Sequence, residues 1–157
     1  MALKGDREVL ATDIDMKIES GKDAERGIIL IGTTTAGEAA VPSTTSLTVT
    51  GNEKPVGLLL DDVEDLDYTT RPQILSRNVV PRASEISLLV KGWVKTNLIK
   101  KSANAPREGR PAYLEASGWV SADPHVAGSG IKVGFFQSTK DSDGYARLFV
   151  DIHGGNI

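Results

Sequence analysis

The chain contains no cysteine, which excludes disulfides, thiolate nucleophiles and sulfur-ligated metals and leaves the redox compartment unmarked. Cohesion must come from packing or assembly. Histidine is almost as scarce. His125 and His153 each stand without a second histidine or a carboxylate at a metal-ligand spacing, so both read as surface residues. Aromatic residues make up 5% of the chain. A carbohydrate platform of Trp93, Trp119 and Tyr113 would be thin, and core or interface packing is the plainer role for these rings. No apolar run approaches the roughly 20 residues that a membrane helix requires. The opening MALKGDREVL also lacks the apolar block of a secretory signal, so a soluble compartment is expected. An excess of positive charge is missing too: the formal net charge is −3. No broad field then draws phosphate backbones or anionic lipid, and neither nucleic acid nor membrane is expected as a partner. The basic cluster Lys100, Lys101, Arg107 and Arg110 reads as a solvated loop.

Signatures of catalysis are absent in the same way. There is no Gly-x-Ser-x-Gly elbow, and a Ser/His/Asp triad could be composed only by choosing freely among many hydroxyls. No Gly-x-Gly-x-x-Gly opens a helix, and no Lys-Ser or Lys-Thr closes a Walker-type glycine series. The acidic run Asp61, Asp62, Glu64, Asp65, Asp67 is the best metal candidate, because calcium needs several carboxylate oxygens close together; a solvated acidic loop is the plainer reading. Asp141-Ser142-Asp143-Gly144 resembles part of a calcium loop but lacks the third ligand before the glycine and the distant glutamate, and turn chemistry accounts for it. The expectation is a chain with no catalytic residues, no cofactor and no bound metal, and not an enzyme.

What is present is strand. With 157 residues, of which 39% are hydrophobic and 25% charged, the chain has the length and composition of one folded domain. From Leu10, the even positions Leu10, Thr12, Ile14, Met16 and Ile18 alternate with Ala11, Asp13, Asp15, Lys17 and Glu19, a half-buried strand pattern. The run from Arg26 to Gly32 is apolar without alternation and bounded by glycine, which predicts a strand covered on both faces. Strands are expected at 46–50 and 56–60 around the turn formers of 51–55, and 61–73 is expected to be an acidic loop or at most one helical turn. The longest strand signal begins at Glu85 and runs to Leu98, with Gly92 marking a bend or bulge. After a loop over 102–111, two short pieces meet at Ser117-Gly118. Two alternating runs follow, Ile131, Val133, Phe135 against Lys132, Gly134, Phe136, and Ala146, Leu148, Val150, Ile152 against Tyr145, Arg147, Phe149, Asp151, joined by a hairpin loop at 141–144. Many short strands at this spacing predict an all-β fold: a compact antiparallel β-barrel or sandwich with an extended N-terminal arm (residues 1–20), a single β domain over 21–157, and very little helix.

The order of several blocks carries more than strand. Lys4-Gly5-Asp6-Arg7 with Leu10-Ala11-Thr12-Asp13 is followed by the block from Pro55 to Val63 and by Leu89-Val90-Lys91-Gly92-Trp93-Val94-Lys95-Thr96-Asn97. Gly109-Arg110-Pro111-Ala112-Tyr113-Leu114, Ser117-Gly118, Lys132-Val133-Gly134-Phe135 and Asp143-Gly144-Tyr145-Ala146 come after them. In this order they resemble the head decoration (cement) proteins of tailed bacteriophages over nearly the whole chain. The resemblance implies a structural virion protein made in the host cytoplasm. It would bind the outer surface of the capsid, contact the major capsid protein and stabilise its lattice. It also implies self-association as a homotrimer, with a dimer as the alternative. The residues expected to meet the capsid or a sister subunit are Asp6, Arg7, Leu10, Ile14 and Met16 on the N-terminal segment, with Asp61, Asp62 and Asp65 in the acidic run. The competing expectation is a glycan-binding or head-fibre-type adhesion module on the virion surface, using the Trp and Tyr rings.

Overall fold

Alternation along the chain resolves into strands in the computed structural model, which describes residues 3–19, 22–42, 54–64, 79–82, 84–124 and 130–152, without the side chains of 4–6, 13–15 and 64. The expected strand at 46–50 and most of its turn, residues 65–73 and both histidines lie outside the described residues. Two long strands organise the rest: β1 (Leu3–Ile18) and, in chain order after the short β2 (Ile29–Gly32), β3 (Glu38–Ala40), β4 (Pro55–Leu59), β5 (Asp62–Glu64) and β6 (Val79–Pro81), the strand β7 (Glu85–Thr96). β8 (Pro111–Leu114), β9 (Val120–Ser121), β10 (Lys132–Phe136) and β11 (Ala146–Asp151) follow, and helix among the described residues is confined to one 3-10 turn at Ala116–Gly118. The protein is all-β, as its periodicity predicts, and no described helix is long and apolar enough to cross a membrane.

β1, β3, β2, β4 and β7 are hydrogen-bonded in that order and β7 pairs back to β1, which closes a five-stranded barrel. On its other edge β7 passes from β4, opposite Leu88 and Leu89, to β11, opposite Lys91 to Thr96. The sheet then continues through β10, β8 and β9. β9 returns to the segment after β7, where Val120 N donates to Leu98 O (3.1 Å) and Lys100 N donates to Val120 O (2.8 Å). β7 is therefore the strand common to both circuits, which is why its periodic signal is long: it needs a buried residue at nearly every inward step along 12 residues.

Alternation sorts side chains into two cores. Leu30, Leu59, Ile86 and Leu88 join Ile18 and Ala39 in one cluster fed by all five barrel strands. Their neighbours Ile29, Ile31, Leu58 and Leu89 turn the other way, into a cluster completed by Leu114, Val133, Phe136, Leu148 and Val150. All four residues of β2 are buried, so the uninterrupted apolar run is covered on both faces as expected. Each fully buried Leu or Ile contributes about 1.5–3 kcal/mol relative to exposure, so the strands shared by the two cores hold the molecule together.

Three local readings are corrected. The start of the expected acidic loop, 62–64, is strand: β5 pairs parallel with β6, Val63 is 1% exposed, and Ala24 N and Val63 N each donate to the other's carbonyl. One apolar residue between acids is too short a run to show a period. In β10 the buried residues are Val133, Gly134 and Phe136 while Phe135 is 37% exposed, because a bulge against β8 between Lys132 and Gly134 shifts the phase. A one-residue slip moves every following side chain to the opposite face. In β1, the longest strand at 16 residues, four such irregularities against β7 break the even-odd rule. Val9 and Leu10 are both exposed, at 43% and 55%, while Ile18 is buried.

Gly92 sits where β1 crosses β7. Its φ is +148°, and a Cβ placed there would collide with the Glu8 carbonyl oxygen. Glycine at this position lets the N-terminal strand approach the backbone of β7 closely, beside the bulge expected from the sequence.

Candidate interaction surface

The extended N-terminal segment lies along β7 of its own chain, from Leu3 opposite Thr96 to Lys17 opposite Glu85. Its other edge meets β3 only at Lys17 and Ile18. Between these points Arg7, Glu8, Val9, Leu10, Ala11 and Thr12 are all exposed. Of the residues expected to meet a partner, Arg7 and Leu10 stand open on this strand. Met16 is half-buried and packs against the barrel core. Asp6 and Ile14 lie on β1 with side chains outside the description, and Asp65 lies outside it altogether.

Asp61 and Asp62 differ from one another. The Asp62 carboxylate is occupied: Arg26 N donates to Oδ1 (2.8 Å) and the Arg26 guanidinium lies 4.0 Å from Oδ2. Asp61 is half-buried, and burial pushes its pKa above the usual carboxylate value. The Arg7 charge, a Ser87 hydrogen bond and Arg26 pull it down less strongly, and Asp62 adds to the rise. The fold thus brings Arg7 of the N-terminal strand and Asp61 of the acidic run into one electrostatic neighbourhood.

A raised carboxyl pKa means that the folded state favours the proton, so this group's contribution to stability is lost as pH climbs through the folded value. Asp61→Asn is expected to be more stable than the wild type at pH 7. The advantage should shrink as pH falls through the raised folded value and disappear below the ordinary value of 3.8, where the wild-type carboxyl is protonated in both states. Thermal unfolding of both proteins across that range checks this, and a pH-independent difference would contradict it.

A second feature crosses the outer face of the sheet. Glu8 lies opposite Trp93, Trp93 opposite Phe149, and Phe149 opposite Phe135, so one row of side chains spans four strands. Trp93 Nε1 donates to Glu8 Oε2 (2.8 Å), the Arg147 guanidinium carbon lies 3.7 Å from the Trp93 ring centroid, and Phe135 stacks on Phe149 at 5.0 Å. Such a cation–π contact contributes about 0.5–2 kcal/mol; here it ties β11 to β7, while the Glu8 hydrogen bond ties β1 to β7. Sequence reasoning missed the row, although both Trp93 and Phe149 fall in the polar phase of their strands, where an aromatic residue is out of place.

The carbohydrate platform does not assemble as one surface around Trp93. Its ring face is covered by Arg147, and Tyr113 on β8 is three strand steps away, roughly 14 Å at the usual spacing. Trp119 remains, 39% exposed beside the 3-10 turn.

The basic loop borders a cavity of about 480 Å³ lined by Lys100, Lys101, Ser102, Glu115, Ser121 and Asp123 together with Ala103 and Pro124. Glu115 is buried and holds Lys100 Nζ at 3.5 Å. Asn104 donates from its backbone and its side chain to Asp123, which lowers the Asp123 pKa, and the Ser121 hydroxyl accepts from Asp123 N and donates to Asp123 O (both 3.0 Å). These groups fasten the 100–104 loop to β9. Ser121 is committed to the backbone of its own turn, and no cluster of three or more metal-ligating side chains occurs among the described residues.

No family model matches this chain, and no curated protein matches it.

Proposed function

We propose that this chain is a capsid decoration protein: a structural component that binds the outer surface of a phage head, contacts several major capsid protein subunits and stabilises their lattice. The observation that carries the reading is the open stretch of β1, where two adjacent large apolar residues, Val9 and Leu10, are exposed on a strand otherwise studded with charge. Such a strand supports docking by apolar contact through its exposed side chains. The order of sequence blocks, which resembles that of decoration proteins, suggests the partner. Stabilisation follows from mass action: a protein that binds only the assembled, expanded shell lowers its free energy by about 2.7 kcal/mol per site at a hundredfold excess over Kd. Many sites per shell multiply the effect.

The contacts assigned to this surface are Arg7 and Leu10, with Asp6 beside them in sequence. Asp61 contributes at the point where Arg7 approaches it. Deleting the first twenty residues is not a clean test, because Leu3 and Ile18 belong to the two cores and β1 closes the barrel. Point substitutions at exposed positions are. Wild-type protein is expected to cosediment saturably with expanded heads assembled from the cognate major capsid protein. Val9→Asp/Leu10→Asp should bind at least about tenfold more weakly, roughly 1.4 kcal/mol, while keeping its unfolding temperature. Absence of saturable binding by the wild type would overturn the proposal.

A second reading, a glycan-binding or adhesion module, is favoured by one observation, the exposed Trp119. A glycan array that responds to the wild type and loses its signal in Trp119→Ala would support it.

A further inference from the structure

We propose that the outer edge of β1 is a self-association surface on which a second copy of this chain lays its own β1 antiparallel, about a two-fold axis at Leu10. The inference stands on the geometry of the edge and does not depend on the capsid reading.

Successive residues of a strand send their backbone N–H and C=O groups to opposite edges. One edge of β1 is satisfied by β7; on the other, the backbone bonds formed among the described residues are at its C-terminal end, from Lys17 N to Gly37 O and from Glu19 N to Ala39 O, both 2.9 Å. The stretch from Arg7 to Thr12 is exposed throughout, and no other strand among the described residues pairs with this part of the edge. Proteins usually blunt such an edge. Here the irregularities at its centre compensate: Val9 pairs with Gly92 and Thr12 with Leu89, which is the same register on either side of Leu10.

Charge order selects the occupant and the register. With the axis at Leu10, Leu10 faces Leu10, Val9 faces Ala11, and Arg7 faces Asp13 twice. Moving the axis half a residue toward the N-terminus sets Asp6 against Asp13. Moving it half a residue the other way sets Glu8 against Asp13. Like charges directly opposite destabilise a strand pair. An axis at Ala11 pairs Arg7 with Asp15 but places Val9 against Asp13. The Leu10 register alone among these puts apolar against apolar and opposite charges together. An isologous pair of this kind closes at two copies, and it would join the two barrels through one continuous sheet.

Sedimentation equilibrium of the full chain over a wide concentration range tests this. The wild type is expected to show a reversible monomer–dimer equilibrium. Arg7→Asp and Asp13→Arg should each weaken it by at least about tenfold, because two attractive pairs become two repulsive ones, and Arg7→Asp/Asp13→Arg should restore it. Arg7 also approaches Asp61 within its own chain; Asp13→Arg leaves that contact intact and so separates loss of pairing from a local effect, with unfolding temperatures confirming that each variant is folded. A wild type that stays monomeric, a trimer, or a charge-swapped double variant that fails to recover would overturn the proposal. Shell binding by a monomeric or trimeric wild type would leave the capsid reading standing without it.

Discussion

Gly92→Ala is expected to destabilise the protein by about 4 kcal/mol, or to prevent its accumulation as a folded species. Two costs combine. An L-residue at φ +148° carries backbone strain of about 1–3 kcal/mol. The added methyl also strikes the Glu8 carbonyl oxygen, which is backbone and cannot rotate away. Relief requires β1 to lift from β7, and that removes the closing strand of the barrel and the Glu8–Trp93 hydrogen bond together. Since a domain's whole stability is about 5–15 kcal/mol, this one methyl group removes a large share of it. Gly109→Ala is the control: its φ is +79° with nothing within 4 Å of the new methyl, so strain acts there without collision. A cost of about 1 kcal/mol is expected. Urea unfolding of both variants, with amide exchange along β1, checks the contrast; equal losses at the two sites would show that the approach of β1 to β7 is looser than described.

Phe136→Ala is expected to cost about 3–5 kcal/mol, the range for emptying a fully buried aromatic site. Phe136 is 0% exposed in the core shared by β7, β10 and β11, and its backbone is held by Arg110 O at 2.7 Å and Gly109 N at 2.8 Å. Phe135→Ala, next to it, removes a 37% exposed ring that stacks on Phe149, and should cost about 1 kcal/mol. Strict alternation from Ile131 would reverse these values. The pair of substitutions therefore measures the bulge between Lys132 and Gly134 directly, by denaturant unfolding. A larger loss at Phe135 would mean that β10 runs without the irregularity.

The same bulge shows where sequence reasoning stops. Periodicity identified β10 as a strand because Ile131, Val133 and Phe135 alternate with Lys132, Gly134 and Phe136, and these are local properties. It could not place the irregularity, which exists only relative to β8. β1 follows the same logic. Its alternation was legible from Leu10 to Ile18, yet the exposure of Leu10 and the burial of Ile18 depend on bulges defined by β7. At the candidate surface, Leu10 is among the residues expected to meet a partner, whereas its exposed neighbour Val9 is not. The occupation of Asp62 by Arg26, 36 residues earlier in the chain, was invisible because it is a long-range pairing. The aromatic row was hidden for a similar reason: Trp93, Phe149 and Phe135 become neighbours only when β7, β11 and β10 come into register.

By itself the sequence determined that the protein is built of strands, roughly where most of them lie, and which run is covered on both faces, because side-chain direction alternates within a strand whatever its partner. Tertiary structure alone decided that β1 closes a barrel, that β7 serves two circuits, and which edge is left open. Those outcomes depend on hydrogen-bond register between segments distant in the chain, and one extra residue in one strand changes the register without leaving a mark on local pattern.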